Sequence, residues 1–171
     1  MAQGDAAYRG LPGAFIYSFR MSESRVYKSY VVISAILTCL ITILFTLGLI
    51  GIIAGTIGAS ELVTLVRSFF ILVGVLVVFP IIAPVILVAR RLRLSEKRSS
   101  DYDAAMAFGG YAFIISLYVG LLLPVPPEQQ EPVVGVMGAI ISIAYSLPQI
   151  SGFVPPLICA GMLFLIHRRF R

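Results

Sequence analysis

Four stretches of this chain carry no Asp, Glu, Lys or Arg: residues 29–60, 68–89, 104–127 and 132–166. A helix rises 1.5 Å per residue, so about 20 apolar residues cross a hydrocarbon core of about 30 Å. Even the shortest stretch, 68–89, is long enough. A soluble domain needs polar groups over most of its surface. Here hydrophobic residues make up 59% of 171 and charged residues 12%, against roughly 45–50% and 25% in ordinary soluble chains. The sequence therefore predicts an all-α integral membrane protein with four transmembrane helices, at about 26–56, 66–89, 104–123 and 150–168. The net charge of +5 does not indicate nucleic acid, because the basic residues lie between apolar runs and do not form one basic face.

The distribution of Lys and Arg gives an orientation. The N-terminal arm holds Arg9, Arg20, Arg25 and Lys28, and the first connection holds Arg67 alone. The second connection holds Arg90, Arg91, Arg93, Lys97 and Arg98, the third holds none, and the C-terminus holds Arg168, Arg169 and Arg171. Alternate segments thus hold twelve basic residues against one. The positive-inside rule puts both termini and the second connection in the cytoplasm, with the plasma membrane as the expected location. Membrane lipids are expected partners, with Arg90, Arg91, Arg93, Arg168 and Arg169 as headgroup contacts. A cleaved signal peptide is not expected. Asp5, Arg9, Arg20, Glu23 and Arg25 precede an apolar run much longer than a signal's core, so the first helix reads as an uncleaved anchor.

Residues 1–25 read as a cytoplasmic or interfacial arm, and 26–171 as the membrane domain. The arm is aromatic, with Tyr8, Phe15, Tyr17 and Phe19, followed by Tyr27 and Tyr30. Tyr and basic residues favour the headgroup layer. Leu11-Pro12-Gly13 predicts a turn.

Small residues recur at helical spacing. Gly48, Gly51, Gly55 and Gly58 share one face of the first helix and include a G-x-x-x-G. Such a face lets another backbone approach closely. Gly109, Ser116 and Gly120, with Ala105 and Ala112, make a second seam on the third helix. Ser34, Thr38, Thr42 and Thr46 form a ridge whose hydroxyls can bond back to the preceding turn. Pro80 and Pro84 predict a kink in the second helix. The last apolar stretch, as one straight helix, would be about 52 Å long, beyond any hydrocarbon core. Pro148 and Pro155-Pro156 break it. The segment 133–147 is therefore expected to be a separate short helix before the last crossing, either interfacial, re-entrant or half of a broken crossing.

The chemistry on offer is sparse. No Asp, Glu, Lys or Arg falls at mid-membrane, and Glu61 and Arg67 lie near the outer ends. Proton relays, ion-coupled carriers and voltage sensors normally need such groups. His167 is the single histidine and suits a helix end or a headgroup. Cys39 and Cys159 read as small buried apolar residues. No nucleophile motif, phosphate loop or metal-ligand spacing occurs. The expectation is no catalysis, no cofactor and no metal. The preferred function is a small accessory or structural subunit of a larger membrane complex, whose important residues are packing residues and whose partners are other membrane subunits or further copies. The alternative is a small pore or carrier for a small or apolar solute, possibly as a homo-oligomer, suggested by the broken last stretch.

Overall fold

The computed structural model of the chain describes residues 10–55, 61–94, 100–123, 125 and 136–170. All regular structure among the described residues is helical. In order these are α1 (Gly10–Met21), α2 (Arg25–Gly55), α3 (Glu61–Leu94), α4 (Ser100–Leu122), α5 (Val136–Tyr145), a short 3-10 helix (Gln149–Phe153) and α6 (Val154–Arg169). Four segments are long and apolar enough to cross a membrane: Arg25–Gly55, Thr64–Leu94, Ser100–Leu122 and Ile150–Arg169.

The elements outrun the charge-free stretches where polar residues help the helix. α3 continues through Arg90, Arg91 and Arg93 to Leu94, since basic side chains suit the negative end of the helix dipole. α4 starts at Ser100 and carries Asp101 and Asp103 in its first turn, where the dipole favours acids. α5 occupies the interior of the expected 133–147 segment, and 133–135 lie outside the described residues. The 3-10 helix and α6 together rise about 34 Å, so the last candidate span is long enough without α5.

One expectation is corrected. Leu11, Pro12 and Gly13 are not a turn but the first turn of α1. Pro is tolerated there because the N–H it lacks would have had no helical acceptor. The chain enters through Gly10 at φ +70, a conformation that favours glycine. The described part of the aromatic arm is thus largely a 12-residue helix, packed on α2 and α3.

The chain divides into two compact units, Met1–Ala107 and Phe108–Arg171. The core of the first gathers at the ends of α2 and α3 that carry the basic residues. Ala14 of α1, Tyr27, Tyr30 and Val31 of α2, Ile81, Val85 and Val88 of α3, and Tyr102 and Met106 at the start of α4 are all buried. Towards the other end the helices present apolar side chains outward. Leu40, Leu44 and Leu47 of α2, and Leu72, Val75 and Phe79 of α3, are each more than half exposed. Apolar surface of this extent is compatible with helices that face lipid. In the second unit, α4 meets α6 where Gly109 faces Leu163 and Ile166, and Phe113 and Leu163 are buried.

Candidate functional site

The most constructed part of the molecule is a buried polar knot in the first unit, built on the three residues between α1 and α2. Ser24 caps α2: its hydroxyl accepts the Tyr27 N–H at 3.3 Å, the usual service of serine at a helix start. The Ser24 N–H in turn donates to the Ser22 hydroxyl at 3.3 Å. The Ser22 hydroxyl donates to the Asp103 carboxylate at 2.5 Å, across 81 positions of sequence. Ser22, Ser24 and Asp103 are 2%, 6% and 4% exposed, so solvent is not there to compete for these bonds. Beside them, the Arg91 guanidinium lies 4.1 Å from the centre of the Tyr102 ring, within cation–π range. One Arg91 nitrogen, Nη1, is buried and has no hydrogen-bond partner among the described residues.

A second set of bonds ties α2 to α3 beside the prolines. Pro84 has no N–H to offer the carbonyl four residues back, and its ring crowds that turn. In this turn the Tyr30 hydroxyl donates to the Ile81 carbonyl at 2.6 Å, and the Tyr27 hydroxyl reaches the Val85 carbonyl at 3.5 Å. Tyr27, Tyr30 and Pro84 are fully buried. A neighbouring side chain can supply donors where a proline disturbs the ladder. α3 runs as one helix, Glu61–Leu94, through Pro80 and Pro84. The sequence placed Tyr27 and Tyr30 among the interfacial aromatics; the structure uses them inside.

The expected packing residues separate into three groups. Gly48 is a notch for α3: a Cβ built there would lie 2.8 Å from the Phe70 Cζ. The relation is reciprocal, since a Cβ on Gly74 would lie 2.8 Å from a Phe45 ring carbon. The two rings touch, with centroids 4.9 Å apart. Gly109 and Gly120 are notches in the second unit. A Cβ on Gly109 would meet Leu163 at 2.7 Å, and one on Gly120 would meet the Gly152 carbonyl oxygen at 2.5 Å. Ser116 is buried and donates back to the Phe113 carbonyl at 2.6 Å. Gly51 and Gly55 form the third group. Both are exposed, and a Cβ on either meets no described atom within 4 Å. Gly58 lies outside the described residues. Gly74 was missed; a lone glycine in an apolar run carries no pattern to find it by.

The Gly120–Gly152 approach bears on the broken last stretch. Gly152 belongs to the 3-10 helix and is buried. The backbone at Gly152 is therefore covered by α4, the condition under which irregular backbone is tolerated at membrane depth. Pro148 itself is exposed, at the start of that 3-10 helix.

Of the expected headgroup contacts, Arg90, Arg93, Arg168 and Arg169 are exposed, and Arg91 is half-buried over Tyr102. His167 stands in the last turn of α6. In the serine–threonine ridge, Ser34 and Thr46 donate to the carbonyls of Val31 and Thr42. Thr38 does not follow them, its buried hydroxyl having no partner among the described residues. Cys39 corrects another expectation. It is exposed on α2, and it and Cys159 are free thiols. No group of three or more metal-ligating side chains occurs among the described residues.

Among the described residues, fold and geometry together define an all-helical structure with four helices of membrane-spanning length, compatible with a multi-pass membrane protein. The chain belongs to the family described as a domain of unknown function (DUF8056), whose match covers residues 1–171. No curated protein and no solved structure matches the chain.

Proposed function

We propose that this protein is inserted in the plasma membrane through four crossings, α2, α3, α4 and the 3-10 helix with α6, with both termini and the α3–α4 connection in the cytoplasm. In this reading it is a non-catalytic accessory subunit of a larger membrane assembly, needs no cofactor, and works by presenting helix surface to its neighbours. The orientation is supported by the twelve-to-one division of basic residues. The observation that carries the subunit reading is the split in the α2 glycines. Gly48 is spent on Phe70 within the chain, while Gly51 and Gly55 present a small-residue surface that no described atom occupies. In lipid, where hydrophobicity does not drive helices together, such close-approach surfaces are a main source of association. Replacing both Gly51 and Gly55 by Leu is expected to release the chain from its complex on a native gel while leaving its helical content intact. Retention of the complex by this variant would contradict the reading.

A second reading, a small pore or carrier acting as a homo-oligomer, is favoured by one observation. The last span begins with a 3-10 segment whose backbone is covered by α4 at Gly120, and broken helices recur at transporter substrate sites. Flux of small ions or neutral solutes in proteoliposomes distinguishes it from the subunit reading.

A further inference from the structure

The first unit carries an open cleft of about 330 Å³ between α1 and α2, distinct from the polar knot. Its walls are Phe15, Ile16 and Phe19 on one side and Val31, Val32, Ala35 and Ile36 on the other, with Arg20 as its one charged lining residue. Lys28 stands at the same end, its Nζ 5.8 Å from the centre of the Phe19 ring. Arg25 is exposed in the first turn of α2, and Glu23 is the one acid on the intervening segment. An apolar slot with a net positive rim is complementary to one class of membrane molecule. We propose that the cleft holds one acyl chain of an anionic phospholipid of the cytoplasmic leaflet, with the lipid phosphate on Arg20 and Lys28. The inference rests on the membrane reading above.

Depth and polarity agree with this occupant. Val31–Ile36 lie about 9–16 Å along α2 from Arg25, at 1.5 Å per residue. A chain running past them keeps its phosphate level with the basic residues, and Arg and Lys reach such a phosphate by extending their long stems. A second copy of the protein fits less well. Copies inserted with one orientation would bring this basic end against its own like.

Native mass spectrometry of the intact chain in mild detergent tests the proposal. The probes are phosphatidylglycerol and phosphatidylcholine of identical acyl chains, at equal concentration. The expected result is a single bound phosphatidylglycerol, favoured by fivefold or more, since a basic residue near an anionic surface gives about fivefold each. Arg20→Ala with Lys28→Ala should reduce that preference towards unity. Ala35→Trp should fill the cleft and abolish both adducts, with circular dichroism reporting the helices intact. If Ala35→Trp does not fold, Ile36→Trp at the exposed rim serves in its place. Equal binding of the two lipids, a phosphatidylglycerol adduct unchanged by the tryptophan, or a doubled protein mass in place of a lipid adduct would each overturn the proposal. Carbonate extraction separates this from failure of the membrane reading. A chain that resists extraction but shows no lipid preference sinks the cleft alone, whereas a chain stripped by carbonate sinks both.

Discussion

The Phe70 ring sits in the space that a side chain on Gly48 would need, 2.8 Å from where its Cβ would be. Phe45 does the same to Gly74. Two glycines and two phenylalanines thus set the separation of α2 and α3 away from their hydrogen-bonded, basic ends. Gly48→Ala and Gly74→Ala should each destabilise the chain by up to about 2 kcal/mol, the usual cost of overpacking less the roughly 1 kcal/mol that Ala gains over Gly inside a helix. Gly48→Ala combined with Phe70→Leu should recover part of the loss, because the two sites share one space. Unfolding titrations in mixed detergent micelles measure these three variants and Phe70→Leu alone. Additive losses in the double variant would contradict the contact.

Removing the Tyr30 hydroxyl should cost about 0.5–1.5 kcal/mol, the net value of a buried hydrogen bond. The Tyr27 hydroxyl lies farther from its α3 acceptor, 3.5 Å from the Val85 carbonyl where that of Tyr30 lies 2.6 Å from Ile81, but it also meets the Ser18 side chain. The same titration, run on Tyr30→Phe, reads the loss. A stability unchanged by Tyr30→Phe would place the bond to α3 elsewhere.

The Ser22–Asp103 bond fastens the α1–α2 junction to the first turn of α4. A hydrogen bond to a charged group contributes about 1.5–3 kcal/mol, so Ser22→Ala should lower stability by that order. Hydrogen exchange should show the loss first in α1, whose C-terminal end adjoins Ser22. Unchanged protection of α1 in Ser22→Ala would show that the bond does not hold the helix in place.

How much of this was readable beforehand follows from the kind of signal each feature leaves. The four long apolar helices were legible because each leaves a long uninterrupted charge-free run such as 68–89. The short helix inside 133–147 was legible because Pro148 and excess length left no other solution. Helix α1 was not, because Pro12-Gly13 is both a turn signal and a permitted helix start. The packing role of Gly109 and Gly120 could be read, but not which α2 glycines would face inward. Gly48 and Gly51 belong to one stripe in sequence, and they differ only in where Phe70 arrives from α3. Tyr27 and Tyr30 looked like residues of a membrane boundary, and nothing in the sequence singled out Asp103. Their partners Val85, Ile81 and Ser22 are 58, 51 and 81 positions away, beyond the reach of any local pattern.

The proposed orientation makes a prediction independent of packing. Single cysteines at positions 129–131, in a chain with Cys39 and Cys159 replaced by Ala, should react with a membrane-impermeant maleimide added to intact cells. Cysteines at 95–100 should react only after the membrane is opened. The reverse pattern would invert the topology.

The central claim is that the chain serves as a packing subunit and not as a free-standing protein. The most direct measurement is native-gel migration of the wild-type chain, extracted in mild detergent from its own membrane, with mass spectrometry of whatever co-migrates. The account predicts a species well above 18.5 kDa plus detergent, containing at least one other membrane protein in fixed ratio. A monodisperse single chain under every gentle extraction would contradict it.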